Sequence, residues 1–448
     1  MKLAGVASLQ ERLSLWLPVG SRKRRLALAV LVYVICTGVF FAFARRDIIT
    51  EHTKANHFTL LADSWLHGRL DLGHPPPAYT QNNDFAEYGG KWFVSFPPFP
   101  ALILLPVLLI AKTPENVRDG QIWLWFAGVG PAVLFLVLEK LRRMGESSRT
   151  EVQNLALSWI FSFGTVYFFT VEQGTIWFAS HVVAVALAAA YLLFALDAER
   201  PILAGIALGC AFLTRPDIVL AGLIYALEAL RTSTSGEGDA PKKIAWATAV
   251  KKVGIFAIPV ATALAATLLL NKAAFGALGF GAGHEHLTVG WRARIDKWGL
   301  FSYHYLGRNL GIVTSSLPFM LKQSPWFQIN THGLALWVTT PLYLTLFWPR
   351  KTSAVFRALV IGTVPVILAL LLYQNSGWLQ FGYRFSNDYA VFLFAMLAIA
   401  GPRFGKVFYA FAGLGIAINT FGAVTFDRAG FQQFYYTDNS QQIIFQPD

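Results

Sequence analysis

Long apolar runs broken by short polar or basic stretches dominate this chain, and strict alternation of apolar and polar positions is absent. A bilayer core needs about 20 apolar residues per helix. The first such run, 26–44, follows the basic stretch Ser21-Arg22-Lys23-Arg24-Arg25. Further runs at 121–138, 152–170, 178–196, 202–213, 218–230, 253–270, 334–347, 356–373, 389–400 and 406–426 bring the expected count to about eleven transmembrane helices. The segment 96–111 (FPPFPALILLPVLLIA) is shorter and holds four prolines. Each proline removes a backbone donor that lipid cannot replace. This segment is therefore read as interfacial or re-entrant. Upstream, 56–70 reads as an amphipathic helix lying in the membrane interface.

Charge fixes the orientation this pattern implies. Only 14% of the 448 residues are charged, against about 25% in soluble domains, which excludes a cytosolic enzyme and a disordered chain. The formal charge of +12 would suggest nucleic acid in a soluble protein. In a membrane protein it belongs in cytoplasmic loops, so no nucleic-acid partner is expected. The flank at 21–25 places the N-terminus inside, and the first run lacks a cleavage signal, so it reads as a retained helix. With 96–111 not crossing, Lys140, Arg142, Arg143 and Arg149 fall inside. So do Arg231 with Lys242, Lys243, Lys251 and Lys252, then Arg350, Lys351 and Arg357, then Arg403 and Lys406. The run 232–240 (TSTSGEGDA) reads as a cytoplasmic linker. Cys36 and Cys210 both lie in apolar runs and read as packing residues. The expected architecture is a single all-α polytopic membrane domain over 1–448, without internal repeats.

Three segments then face outward: a first loop within 45–111 that carries the interfacial helices, a second at 271–331, and a third at 374–388. Polar residues cluster at that water-facing end, which suits chemistry on a lipid-borne substrate at the membrane surface. The densest stretch is Asn83-Asp84-Phe85-Ala86-Glu87-Tyr88-Gly89-Gly90-Lys91-Trp92 followed by the Pro-broken helix. Here a carboxylate precedes a Gly-Gly turn, a lysine and an aromatic. His284-Glu285-His286 has a metal-like look, but two histidines two apart need strand geometry and further ligands. No metal site is indicated and no cofactor is expected.

The order of short blocks resembles the GT-C superfamily of membrane glycosyltransferases, which includes the bacterial aminoarabinose and galacturonic acid transferases and the protein mannosyltransferases. The blocks are ADSWLHGRL at 62–70, D-x-x-x-Y-x-G-K-W from Asp84 to Trp92, and SFGTV at 162–166. GIALGCAFLTRP at 205–216, NKAAFG at 271–276, WVTTP at 337–341 and GWLQFGYRFSNDY at 377–389 complete the set. The resemblance implies inverting transfer of a sugar from a polyprenyl-phosphate donor to an envelope glycan, lipid or protein acceptor. It places the enzyme in a bacterial cytoplasmic membrane among membrane lipids, with its active site on the extracytoplasmic face.

The resemblance also implies a general-base carboxylate in the first outer loop. Asp84 falls in the matching block, with Glu87 on the same face if that segment is helical. Many members carry their acid directly after the first span, where this chain has Thr53-Lys54-Ala55-Asn56, so Asp63 stands as the alternative base. The loop holds no Asp-x-Asp pair. Charge growing on the leaving phosphate calls for fixed cations, and the candidates are Lys91, Arg215 and Arg384. Glu172, His181 and His57 are candidates for holding the acceptor or the sugar. Each position also has a plainer reading. Asp84 would serve as a turn residue, Lys91 would snorkel, Arg215 would pair with Asp217, and Arg384 with Asp388. Two other functions compete: an O-antigen-type ligase using Arg292, Arg294 and His304, and a lipid or sugar transporter with ionisable residues at mid-bilayer depth.

Overall fold

A computed structural model describes residues 17–235 and 243–436. It is an all-α polytopic bundle with a few short strands at its ends. In chain order the elements used below are helix α1 (Arg22–Phe43), α2 (His57–Leu66), the hairpin of β1 (Phe85–Tyr88) and β2 (Lys91–Val94), and α3 (Phe99–Ala111). Helices α4 (Asp119–Ala127) and α5 (Val129–Arg143) follow, then α6 (Glu151–Phe163), α7 (Tyr167–Val171) and α8 (Ile176–Ala195). The second half contains α9 (Pro201–Phe212), α10 (Gly222–Thr232), α11 (Trp246–Phe275), α12 (Leu306–Ser315), α13 (Ala354–Leu371), α14 (Asn387–Ala400) and α15 (Lys406–Thr425).

Among the described residues, six helical stretches are long and apolar enough to cross a bilayer: Arg22–Phe43, Asp119–Arg143, Ile176–Ala198, Trp246–Phe275, Ala354–Leu371 and Lys406–Thr425. Helices α3 and α9 are apolar but shorter. Several of the eleven expected spans are broken by local chemistry. The run 152–170 stops at Gly164, where a Cβ would meet the Ile160 carbonyl at 2.9 Å, and resumes as α7. The run 218–230 begins with a 3₁₀ turn over Pro216–Ala221. The run 334–347 is a four-residue helix followed by the 3₁₀ segment Pro341–Phe347. Desolvated segments of this kind are tolerated at membrane depth only when other protein covers them.

Helix starts follow their caps. Thr150 and Gln153 form a reciprocal capping box at α6, and Ser353 caps α13 through the Phe356 amide, each satisfying donors that a first turn leaves open. Helix α8 is the central post, with 78% of its best apolar window buried. It packs on α5, α9 and α14. Helix α11 lies at the periphery, with 11% buried, and packs against α9.

The first loop departs from expectation. Helix α2 is enclosed by other protein rather than exposed along an apolar face: His57, Phe58, Thr59, Leu60, Leu61, Ala62 and Ser64 are all buried, and it packs against α3 and β2. The segment after Asp84 is not helical. It is an antiparallel hairpin pairing Glu87 with Trp92 and Tyr88 with Lys91, turned by Gly89 and Gly90 at φ +58° and +73°, the conformation two-residue hairpin turns require. Asp84 and Glu87 therefore share no helical face.

The basic clusters expected on one side do gather at one end. Arg24 pairs with Glu151 at 2.7 Å. Lys351 donates to the carbonyls of Gly145 and Glu146, and Arg149 donates to those of Leu397, Gly401 and Pro402. The segment 232–240 is helix end and a two-residue strand up to Ser235, paired with Lys243–Ile244. The rest of it, and Lys242, lie outside the described residues.

Candidate functional site

A cavity of about 700 Å³ opens at the other end of the bundle. Its walls come from the loop before β1 (Asn83, Asp84), the start of α8 (Trp177, Phe178), Arg294 and Arg308, and the loop 374–384. Asp427 and Arg428, after α15, complete it. This size lies within the range of small-molecule sites.

A buried carboxylate, Asp84, shares this wall with Arg294, Arg308, Arg384 and Arg428. Asp84 is 9% exposed. Its Oδ2 accepts a 2.6 Å hydrogen bond from the Trp177 indole, while Oδ1 is buried with no hydrogen-bond partner among the described residues. Its backbone stands at φ +63°, a left-handed conformation that Asp tolerates better than most residues. Burial pushes its carboxyl up to about 6, against the opposing pulls of the Trp177 hydrogen bond and of Arg384.

The guanidinium of Arg384 is held by the carbonyls of Gly377 and Trp378 and lies over the Phe178 ring at 4.9 Å. Gln380 frames this loop, accepting from the Arg384 amide at 2.9 Å and donating to the His332 carbonyl at 2.6 Å. Gly377 must be glycine, since it sits at φ +88° and a Cβ would meet the Gln380 side chain at 2.5 Å. The His332 ring contacts Ser376 Oγ at 2.7 Å. Arg428 sits 3.6 Å from Glu172, and Asp427 is engaged by Arg45 at 2.9 Å.

A buried polar layer lies beneath the cavity. Asp388 accepts from Arg215, with contacts of 2.7 and 2.9 Å, and contacts His181 Nδ1 at 2.8 Å. Asp217 lies 3.9 Å from Arg215. Both guanidinium groups lie over the Phe385 ring, that of Arg215 at 4.8 Å and that of Arg384 at 5.4 Å from its centroid.

Of the expected site residues, Asp84 and Arg384 line the cavity and the others do not. Glu87 is exposed on the hairpin. Lys91 is exposed and pairs with Asp71 at 3.3 Å. Arg215 and His181 belong to the layer beneath, and it is Arg215, not Arg384, that holds Asp388. Glu172 is buried beside the wall, and burial drives its carboxyl well above the usual range against the pulls of Arg428 and Arg45. His57 sits behind the wall, its Nε2 2.7 Å from the Asn83 carbonyl and its ring stacked on Phe85. Burial lowers its imidazole to about 4, so it is neutral and holds the loop that carries Asp84. Asp63 pairs with His67 at 3.6 Å and is not in the cavity wall.

Among the ligase candidates only Arg294 reaches the cavity. Arg292 pairs with Asp296 and His304 stacks on Trp298. His286 packs against Tyr88 and Phe275, and among the described residues no group of three or more His, Cys, Asp or Glu could hold a metal ion. Sequence reasoning passed over Arg308, Arg428, His332 and Trp177. For Arg308 and Arg428 the signal was the scarcity of charge, which makes any arginine outside the basic end a candidate; no sequence signal singled out His332 or Trp177.

No protein-family model matches the sequence, and no curated protein matches it. The fold is distantly similar to two solved chains from Archaeoglobus fulgidus. One is the archaeal oligosaccharyltransferase AglB in complex with an inhibitory peptide and a dolichol-phosphate, at 12% identity and a TM-score of 0.45 over 92% of this chain. The other is an oligosaccharyltransferase tethered to an acceptor peptide through a disulfide bond, at 13% identity and the same TM-score over 94%. This chain spans 56% of the length of each.

Proposed function

We propose that this chain is an inverting membrane glycosyltransferase that moves a sugar from a polyprenyl-phosphate donor to an envelope glycan, lipid or protein acceptor. The observation that carries this reading is a buried carboxylate with one open oxygen, Asp84, in the wall of a cavity that also contains Arg294, Arg308, Arg384 and Arg428. Asp84 takes the proton of the acceptor hydroxyl as that oxygen attacks the anomeric carbon. The glycosidic bond then breaks, and the polyprenyl phosphate leaves with the electron pair. A base with its carboxyl near 6 is ionised at neutral pH yet basic enough to accept a proton in the transition state. The arginines meet the charge that grows on the leaving phosphate, and Arg384 presents a planar fork suited to two phosphate oxygens. The basic end of the bundle, taken as cytoplasmic by the positive-inside rule, supports reading the cavity as extracytoplasmic, in a bacterial inner membrane.

Mass analysis of envelope glycans and lipids from a deletion strain tests the reading. One sugar substituent should vanish and return with the wild-type gene, and an unchanged profile overturns it. Complementation with Arg384→Gln should leave transfer about 10²–10³ lower, the usual loss when one fixed electrostatic contact is removed. Arg384→Lys should recover part of it, having the charge without the fork. Glu87→Gln and Lys91→Gln should transfer within about twofold of wild type, as exposed substitutions away from a site do. A tenfold loss in either would return that residue to the site.

A further inference from the structure

A second cavity, of about 430 Å³, lies at the basic end. Its rim holds Arg22, Arg25, Lys140, Arg143 and Arg200 against two acids, Asp197 and Glu199. Both acids are already engaged. Asp197 pairs with Arg231 at 2.5 Å, and Glu199 pairs with Lys140 at 3.2 Å. Among the described residues Arg22, Arg143 and Arg200 have no carboxylate partner, and Arg25 donates to the Gly20 carbonyl. The neighbouring positions on the same helices behave differently. Arg24 pairs with Glu151 and Arg142 with Glu139. The arginines turned to this cavity are therefore the ones without a paired carboxylate, and Arg25 stands within electrostatic reach of Arg143, Arg142 and Arg22, with Glu139, already paired to Arg142, as the one acid that offsets them. Crowding like charges in this way is unfavourable unless an anion joins them.

The wall below the rim is apolar, formed by Leu26, Leu136, Leu193 and Phe194. It continues along α1, where Arg22, Leu26 and Val30 recur at four-residue spacing on one face and Leu26 and Val30 are 47% and 60% exposed. A cationic mouth thus opens onto an apolar trough on the outside of a membrane-spanning helix. This is the polarity profile of one phospholipid, headgroup first. The site is separate from the sugar cavity. Phe43, at the far end of α1, accepts a hydrogen bond from Arg428 of that cavity, and 22 helical residues span about 33 Å.

We propose that this groove binds an anionic phospholipid of the phosphatidylglycerol or cardiolipin class, in the leaflet opposite the transfer site. Arg22, Arg25, Arg143 and Arg200 hold its phosphate oxygens, and an acyl chain lies along Leu26 and Val30. Basic pockets between membrane helices recognise such headgroups by charge, and the inference does not depend on glycosyl transfer.

The test uses the full chain purified in detergent and titrated with phosphatidylglycerol, cardiolipin, phosphatidylcholine or inorganic phosphate, following lipid retention by native mass spectrometry and the thermal unfolding midpoint. The two anionic lipids should bind and raise the midpoint, while phosphatidylcholine and phosphate should not. Arg25→Gln with Arg143→Gln and Arg200→Gln should weaken retention at least tenfold. Arg200→Gln alone, at an exposed position that cannot harm folding much, should weaken it about fivefold. Equal binding of phosphatidylcholine overturns the headgroup assignment, and a response to phosphate matching that of the lipids reduces the site to a free-anion site. Wild-type retention by both variants overturns the site itself.

Discussion

Asp84→Asn should reduce sugar transfer by about 10²–10⁴, the span ascribed to a positioned general base, and should at the same time make the protein more stable at neutral pH. The two effects share one cause. Burial holds the folded carboxyl at about 6 instead of its ordinary 3.8, so the folded state binds the Asp84 proton more tightly than the unfolded chain does. Stability is then highest below about pH 4 and falls as the pH rises to 6, by about 3 kcal/mol once the group is ionised. Asparagine cannot ionise. It keeps an oxygen for the Trp177 indole and tolerates the left-handed backbone at this position. Thermal unfolding of the two proteins across pH 4–8 should show the variant above wild type at pH 7, with the gap closing toward pH 4. In the transfer assay the wild-type rate should fall as the pH drops through about 6, as Asp84 becomes protonated. A variant that keeps the wild-type rate removes Asp84 as the base. One that loses activity together with stability at pH 7 shows a structural role instead.

Much of the bundle was legible in the apolar runs, because burial in lipid demands uninterrupted apolar sequence. The runs at 26–44, 178–196, 356–373 and 406–426 lie within a few residues of α1, α8, α13 and α15. The same signal is blind to backbone continuity. The run 152–170 is apolar on both sides of Gly164, so hydropathy carries no sign that the helix stops there. The run 218–230 follows Pro216 and the run 334–347 contains Pro341, so those interruptions were readable in the residues.

The site was legible in part. Asp84 stood out because it lies next to a turn and an aromatic in a chain with few charges. The arginines that share its cavity come from 294, 308, 384 and 428, separations that no spacing argument assembles. Pairing was the hardest feature to read. Asp388 is four residues from Arg384, which suggests a helical pair, yet a guanidinium 173 positions away occupies it. Lys91 is likewise taken by Asp71, outside the block that singled it out.

Asp388→Ala should be the most destabilising change in this region, by roughly 3–5 kcal/mol, the range for breaking one side of a buried pair. Asp388 is fully buried and accepts from two groups at once. Among the described residues, its loss leaves Asp217 at 3.9 Å as the only carboxylate beside the Arg215 guanidinium, and removes the one hydrogen-bond partner of the buried His181 ring. Asp388→Asn keeps an acceptor oxygen and the volume but gives up the charge, so it should cost less and remain folded. Unfolding midpoints in detergent rank the three proteins. The conservative variant then separates the two polar layers. Asp388 does not line the cavity, so Asp388→Asn should leave the apparent KM for the lipid-linked donor near wild type while Arg384→Gln raises it. If Asp388→Asn raises KM as much as Arg384→Gln at unchanged stability, the lower layer is part of the donor site, and Arg215 is one of its phosphate ligands.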